Sequence, residues 1–231
     1  MRVLLISNST QYGRNYLDHV EGELRSFLSG ARRVLFAPFA LFDRAAYVAK
    51  ARARFEAMGY QLSAIDGPAS LDAADAIFVG GGNTFRLLKA LQDLDLVPAI
   101  RRKVREGIPY VGSSAGSNVA GPTIKTTKDM PIVEPSSFEA LGLVPFQISP
   151  HYLDPDPSSK HMGETQEERI LQFLEENDAP VLGLREGAFV RIEQGAARLG
   201  GAGARIFRKD QPPVEAKPGD ALETLLGMPA C

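Results

Sequence analysis

The chain has 231 residues, enough for one large α/β domain, with ordinary apolar (44%) and charged (23%) shares. A net charge of −2 argues against a nucleic-acid-binding surface, and no apolar run approaches the roughly 20 residues of a membrane span. The single cysteine, Cys231, rules out an internal disulfide or a thiolate metal site; it reads as an exposed tail residue, and the composition fits a reducing cytoplasm.

Short apolar runs alternate with helical patterns, which predicts βαβ units and a mostly parallel sheet flanked by helices. Residues 3–6 are the first strand. One basic residue and no small-residue cleavage site make a buried strand a better reading of this start than a signal peptide. Residues 15–28 carry Leu17, Val20, Leu24, Phe27 and Leu28 at helical spacing and stop at Gly30, with His19 on the outer face. Strand 34–36 follows. Asp43 is placed to cap a helix that runs to Met58 and ends at Gly59. Strands 62–65 and 77–79 come next, then the turn Gly80-Gly81-Gly82-Asn83 and a helix through Leu91. A helix over 97–106, with Pro98 in its first turn, stops at Gly107.

The apolar run 108–111 leads into Gly112-Ser113-Ser114-Ala115-Gly116. A G-x-S-x-G between a strand and a helix predicts a nucleophile elbow, with Ser114 Oγ held above the sheet. The helix would start over 117–120. Residues 121–150 hold Pro122, Pro131, Pro135, Pro145 and Pro150 with little periodicity, the mark of a functional loop. Strand 146–148 ends at Ser149-Pro150-His151. Thr165 and Glu168 form a capping box for a helix to Glu176, and strand 181–184 follows. From Ala188 on, β-rich segments at 189–192, 197–199, 204–207 and 222–225 predict an antiparallel C-terminal meander. No repeat or linker divides the chain, so one domain over 1–231 is expected.

A serine hydroxyl needs a base to become a nucleophile, and histidine is the usual one. Of the three histidines, His151 follows a predicted strand on the edge where open α/β sheets bind ligands, while His161 lies in a polar loop. Glu186, just past strand 181–184, and Asp129, in the irregular segment, could orient the imidazole. The N–H groups of Ala115 and of the 80–83 glycine turn could form an oxyanion hole. The same turn could cradle a phosphate, but neither a G-x-G-x-x-G nor a Walker pattern is completed.

These residues resemble a family. Leu4-Leu5-Ile6-Ser7-Asn8-Ser9-Thr10, Val79-Gly80-Gly81-Gly82-Asn83-Thr84-Phe85, Ser114-Ala115-Gly116 with Asn118, Thr126-Thr127-Lys128-Asp129-Met130-Pro131-Ile132-Val133, Pro150-His151 and Gly163-Glu164-Thr165 are similar to segments of peptidase E, the α-aspartyl dipeptidases, in the same order. The resemblance runs over nearly the whole chain. It implies a serine peptidase that releases aspartate from Asp-X dipeptides without cofactor or metal, on a fold like the class I glutamine amidotransferases. It implies Ser114 as nucleophile, His151 as base, and Gly82 and Ala115 as oxyanion donors. Glu186 or Asp129 would be the third member, with Glu186 favoured because it ends a strand beside the site. Asn83 and Arg169 are the expected substrate-binding side chains, in a cytoplasmic enzyme that could be a homodimer.

Two positions depart from the family. Ser113 stands where a tryptophan is common, which predicts a roomier or wetter wall. Gln166 stands where the family's G-E-T-R-E segment has arginine, which leaves Lys125, Lys128, Arg169 and Arg185 to meet a substrate carboxylate. The rival readings are a related serine hydrolase with another substrate (a cyanophycinase-like peptidase or an amidase) and a non-catalytic small-molecule binder.

Overall fold

The computed structural model describes residues 1–160 and 162–228, so His161 and Cys231 lie outside the described residues. Strands β1 (Arg2–Ile6), β2 (Arg33–Ala37), β3 (Gln61–Ala64), β4 (Ala76–Val79) and β5 (Tyr110–Ser113) pair in the order β3-β2-β4-β5-β1, all parallel. Strands β6 (Gln147–Tyr152) and β7 (Val181–Arg185), also parallel, begin a second sheet. The hairpin β8 (Phe189–Glu193) and β9 (Ala196–Gly200) then returns to the first sheet, antiparallel beside β1. A second hairpin, β10 (Ala204–Arg208) and β11 (Gln211–Ala216), extends the second sheet from β7. The α-helices are α1 (Glu21–Phe27), α2 (Arg44–Ala57), α3 (Thr84–Asp93), α4 (Leu96–Arg105), α5 (Ala115–Asn118) and α6 (Gln166–Glu176), and a 3₁₀ helix spans Pro68–Ala73.

Both faces of the first sheet are covered, which is why its strands are near-continuous apolar runs. Alternation along β1 divides the core: Val3 and Leu5 pack with Ile77, Val79 and Tyr110, and Leu4 and Ile6 pack with Phe27, Phe36, Phe55 and Phe78. A smaller cluster of Tyr152, Ile170, Leu174, Val181 and Phe207 holds α6 on the second sheet. Among the described residues no helix is long and apolar enough to cross a membrane.

The helix caps follow the sequence. Asp43 accepts from the Ala46 N–H, and Thr165 with Glu168 forms the capping box of α6. Three expectations differ. The predicted helix 15–28 opens instead as an irregular segment and a 3₁₀ turn, Asp18–Val20, before α1. Leu17 sits at φ 60° with its N–H on the Ser9 carbonyl (2.6 Å), so the chain is turned before the helix can start. Consequently His19 does not face solvent: both ring nitrogens are buried. The C-terminal segments are antiparallel, but they form two hairpins in two different sheets rather than one meander. Residues 222–225 form a turn rather than a strand. The last strand is β11, whose Pro212 and Pro213 read as a turn in sequence yet are tolerated on a sheet edge.

Among the described residues, each of the four sheet edges is met at one or more points by the chain itself. Residues 219–222 fringe β9 through the bonds Leu199 N–H to Asp220 O (3.2 Å) and Gly219 N–H to Leu199 O (2.7 Å). Asn118 Nδ2 and Thr126 Oγ1 donate to Ile148 O on β6, Arg52 Nε donates to Leu62 O on β3, and the two prolines blunt β11.

Two stability predictions follow from this packing. Phe55 is fully buried, with ring centroids 5.1 Å from Phe78 and 6.2 Å from Tyr60. Phe55→Ala should cost about 3–5 kcal/mol, read as a lower urea midpoint; an unchanged midpoint would contradict the packing. Burial, then the Arg14 charge, holds the His19 pKa below its ordinary 6.5. The unfolded chain therefore takes up a proton there that the folded chain resists, so this contribution is present above 6.5 and lost as pH falls below it. His19→Gln should flatten the drop in Tm between about pH 7.5 and about pH 5.5, and parallel curves for both proteins would count against this.

Candidate active site

The segments singled out in sequence meet at the carboxyl ends of five strands. Ser7 follows β1, Gly80–Gly82 follow β4, Ser114 follows β5, His151 lies near the end of β6, and Glu186 follows β7. Three of these strands belong to one sheet and two to the other, so the site lies across the seam between them.

The elbow is built by contact and strain together. Ser114 sits at φ 53°, ψ −112°, a conformation L-residues rarely adopt. Its N–H donates to Ile6 O (2.9 Å), and Tyr110 Oη donates to Gly116 O (2.6 Å). Ser117 Oγ donates to Ile6 O (2.7 Å) and Gly112 O (2.9 Å), pinning α5 to β1 and β5. The flanking glycines are needed for room rather than for a positive φ. A Cβ on Gly112 would lie 2.4 Å from Gly116 O, and one on Gly116 would lie 2.0 Å from Val79 O. The glycine turn after β4 is as close: a Cβ on Gly81 would lie 2.9 Å from the Ser114 Cβ. Gly82, at φ 132°, has no space for one beside Ala40 O (2.7 Å).

His151 is brought to the elbow by a β-bulge. Pro150 pairs with Leu184 and Tyr152 with Arg185, so His151 is the extra residue; it adopts φ 52° and is turned out of the ladder. Its backbone is held at both ends. The N–H donates to Ser7 Oγ (2.9 Å), whose hydroxyl donates on to Leu184 O (2.8 Å). The carbonyl accepts from Lys128 Nζ (2.8 Å) and Gln166 Nε2 (3.3 Å). The ring then spans two partners: Nε2 lies 2.9 Å from Ser114 Oγ, and Nδ1 lies 2.7 Å from Glu186 Oε1. An ionised carboxylate can only accept, so Nδ1 carries the proton and Nε2 presents its lone pair to the serine hydroxyl. Asn8 Oδ1 accepts from the Gly187 N–H (2.7 Å) and fixes the turn that carries Glu186.

The N–H groups of Gly82 and Ala115 have no acceptor among the described hydrogen bonds, and both border the space over Ser114. Ala115 is the first residue of α5, where a helix leaves its amide unpaired.

Asp129 is drawn to a different group. Its Oδ2 accepts from the Thr84 N–H (2.8 Å) and Thr84 Oγ1 (2.6 Å), which places the carboxylate on the first turn of α3. It still borders the space around Ser114. Asn83 caps α3 through Oδ1, which accepts from the Arg86 N–H (3.0 Å), and donates to Met130 O (2.8 Å). Arg169 pairs with Glu164 (3.5 Å) and borders a neighbouring cleft rather than the space over Ser114. Ser113 is fully buried in β5 and lines none of these clefts, so the expected change in the wall is not found there.

Two spaces open from Ser114. One is a cavity of about 770 Å³ bordered by Tyr16, Leu41, Phe42, Tyr47 and Lys50. The other is a narrow cleft of about 20 Å³ between Ser114, Thr127, Lys128 and His151. Burial raises the pKa values of Tyr16 and Tyr47, so both remain neutral phenols. Burial lowers that of Lys128 even though Asp129 and Glu186 act against it. Among the described residues, no three of His, Cys, Asp and Glu converge as metal ligands.

Sequence reasoning did not single out Ser7, Asn8 or Thr84 for their bonds here. The polar run Ser7-Asn8-Ser9 directly after an apolar strand was the available signal.

Comparison with known proteins agrees in extent with this architecture. The model of Peptidase family S51 matches residues 3–200. Peptidase E of Streptomyces coelicolor is 54% identical, over 98% of this chain and 95% of that protein. A Drosophila melanogaster protein described as "Probable alpha-aspartyl dipeptidase" is 46% identical, over 97% of each. The crystal structure of a peptidase from an acI-B1 actinobacterium shares the fold, with a TM-score of 0.73 at 18% identity over 95% of each chain. The family model and the two relatives, each spanning most of the sequence, establish that the chain belongs to peptidase family S51.

Proposed function

We propose that the chain is a serine-type dipeptidase that releases aspartate from the N-terminus of Asp-X dipeptides through an acyl-enzyme on Ser114. The observation that carries this reading is the continuous chain Ser114 Oγ–His151 Nε2–His151 Nδ1–Glu186 Oε1, at 2.9 and 2.7 Å. The names of the 54% and 46% identical relatives support the substrate class.

In this reading Ser114 Oγ attacks the aspartyl carbonyl as His151 Nε2 takes the hydroxyl proton. Glu186 stabilises the imidazolium and keeps the ring in the tautomer that accepts at Nε2. The negative oxygen of the tetrahedral adduct is met by the Gly82 and Ala115 amides. The C–N bond breaks as Nε2 protonates the departing amine. Water then repeats the sequence on the ester, with His151 again as base, and frees the aspartate. A dipeptidase must also recognise a free α-ammonium, and Asp129, anchored on Thr84 beside the cleft, is the carboxylate assigned to it. The larger cavity, bordered by Tyr16, Leu41, Phe42 and Tyr47 and also by Asp43 and Lys50, takes the residue X and allows it to vary.

Ser114→Ala should abolish labelling by a fluorophosphonate and lower Asp-Leu turnover by about 10⁴-fold or more. Glu186→Gln leaves the ring an ambiguous tautomer and should lower kcat by about 10²–10⁴-fold at nearly unchanged KM. Asp129→Asn should keep fluorophosphonate labelling and lose turnover mainly through KM. Equal Asp-Leu hydrolysis by wild type and Ser114→Ala would end this account.

A further inference from the structure

An N-terminal aspartyl residue carries its side-chain carboxylate two bonds from the α-carbon, next to the carbonyl that Ser114 would attack. A site that selects it needs a cation beside the nucleophile with donors to spare, because a buried carboxylate without a partner is strongly disfavoured. Most cations on this side of the molecule are engaged. Arg185 holds Asp154 with two bonds (2.7 and 2.6 Å) and Glu215 with two more (3.0 and 3.1 Å). Arg169 pairs with Glu164 (3.5 Å), and Lys125 Nζ donates to Asn177 Oδ1 (3.3 Å).

Lys128 differs. Its Nζ donates to His151 O at 2.8 Å, and among the described residues it has no carboxylate in ion-pair contact. An ammonium has three donors, so two remain. It borders the narrow cleft together with Ser114 and Ala115, the nucleophile and one of the proposed oxyanion amides. At about 20 Å³ the cleft, which Asp129 also borders, has no room for an aromatic side chain. Lys128 is an exposed residue, so its two free donors are open to an incoming anion, and what desolvation its ammonium does feel lowers its pKa against the pull of Asp129 and Glu186.

We propose that Lys128 is the specificity-determining cation of the site, reading the side-chain carboxylate of the substrate's N-terminal aspartate from the narrow cleft. This inference rests on the dipeptidase reading above and deepens it. Another cation without a carboxylate partner among the described residues is Lys50, which borders the large cavity, its Nζ 4.7 Å from the centre of the Tyr16 ring. That cavity is assigned to residue X.

The test compares Asp-Leu with its neutral isostere Asn-Leu on the purified full chain. The ratio of kcat/KM for the two substrates cancels any fall that a disturbed His151 carbonyl would impose on both. In Lys128→Met the Asp-over-Asn preference should fall by about 100-fold, mainly through the KM for Asp-Leu, and Lys128→Arg should restore part of it. Three results would overturn the proposal. The preference could survive Lys128→Met. Both substrates could fall by the same factor, which would make Lys128 a support of His151 alone. Or the preference could fall in Lys50→Met instead. A wild type that is labelled by a fluorophosphonate yet does not favour Asp-Leu removes the dipeptidase reading itself. That result is seen before any variant is made, so the two failures are distinct.

Discussion

The site depends on how the two sheets are fastened at Ser7. The hydroxyl of this one residue accepts from the His151 N–H and donates to Leu184 O, so β1 of the first sheet is tied to β6 and β7 of the second. The hydroxyl of Ser114 belongs to the first sheet, and the imidazole and the Glu186 carboxylate belong to the second. Their 2.9 and 2.7 Å contacts therefore report the fit between sheets rather than within one. A buried hydrogen bond contributes only about 0.5–1.5 kcal/mol net, but leaving one of its groups unpaired costs about 1–3 kcal/mol. That asymmetry keeps the seam in one arrangement.

Two residues on either side of the seam, Ser114 at φ 53° and His151 at φ 52°, hold strained backbones that point their side chains at each other. Such conformations persist only where the surroundings over-determine them. Here the surroundings are specific. Around Ser114 they are Ile6 O, Tyr110 and the close approach of Gly116 to Val79. Around His151 they are Ser7 at the amide and Lys128 with Gln166 at the carbonyl. The geometry that joins Ser114 to His151 is thus carried by main-chain groups and by side chains that meet the backbone, rather than by the two side chains that face each other.

Much of this was legible in sequence. Alternating apolar runs and caps located the parallel strands and α2, α3 and α6, because both signals are local. G-x-S-x-G located Ser114, because a strand-to-helix turn of that tightness leaves few residue choices. What was not legible involves distance along the chain. The start of α1 fails because Leu17 is turned by a bond to Ser9 O. Strand β11 was hidden because Pro212 and Pro213 signal a turn everywhere except on an edge. Sequence favoured Glu186 over Asp129 only for its place at a strand end, and it is the fold that puts Asp129 on Thr84 and Glu186 on the imidazole. The change at Gln166 was visible, but sequence left four cations, Lys125, Lys128, Arg169 and Arg185, to answer it. Only the fold brings Gln166 and Lys128 to the same carbonyl oxygen, so a charge missing at one position can be supplied from the other.

The interruption of each sheet edge bears on how the protein meets copies of itself. A fringe of chain along β9, an arginine on β3, side chains of Asn118 and Thr126 on β6 and a proline pair on β11 each take up or remove part of an edge's main-chain bonding. A second copy that approaches any of these margins meets an interrupted row of donors and acceptors rather than a complete one.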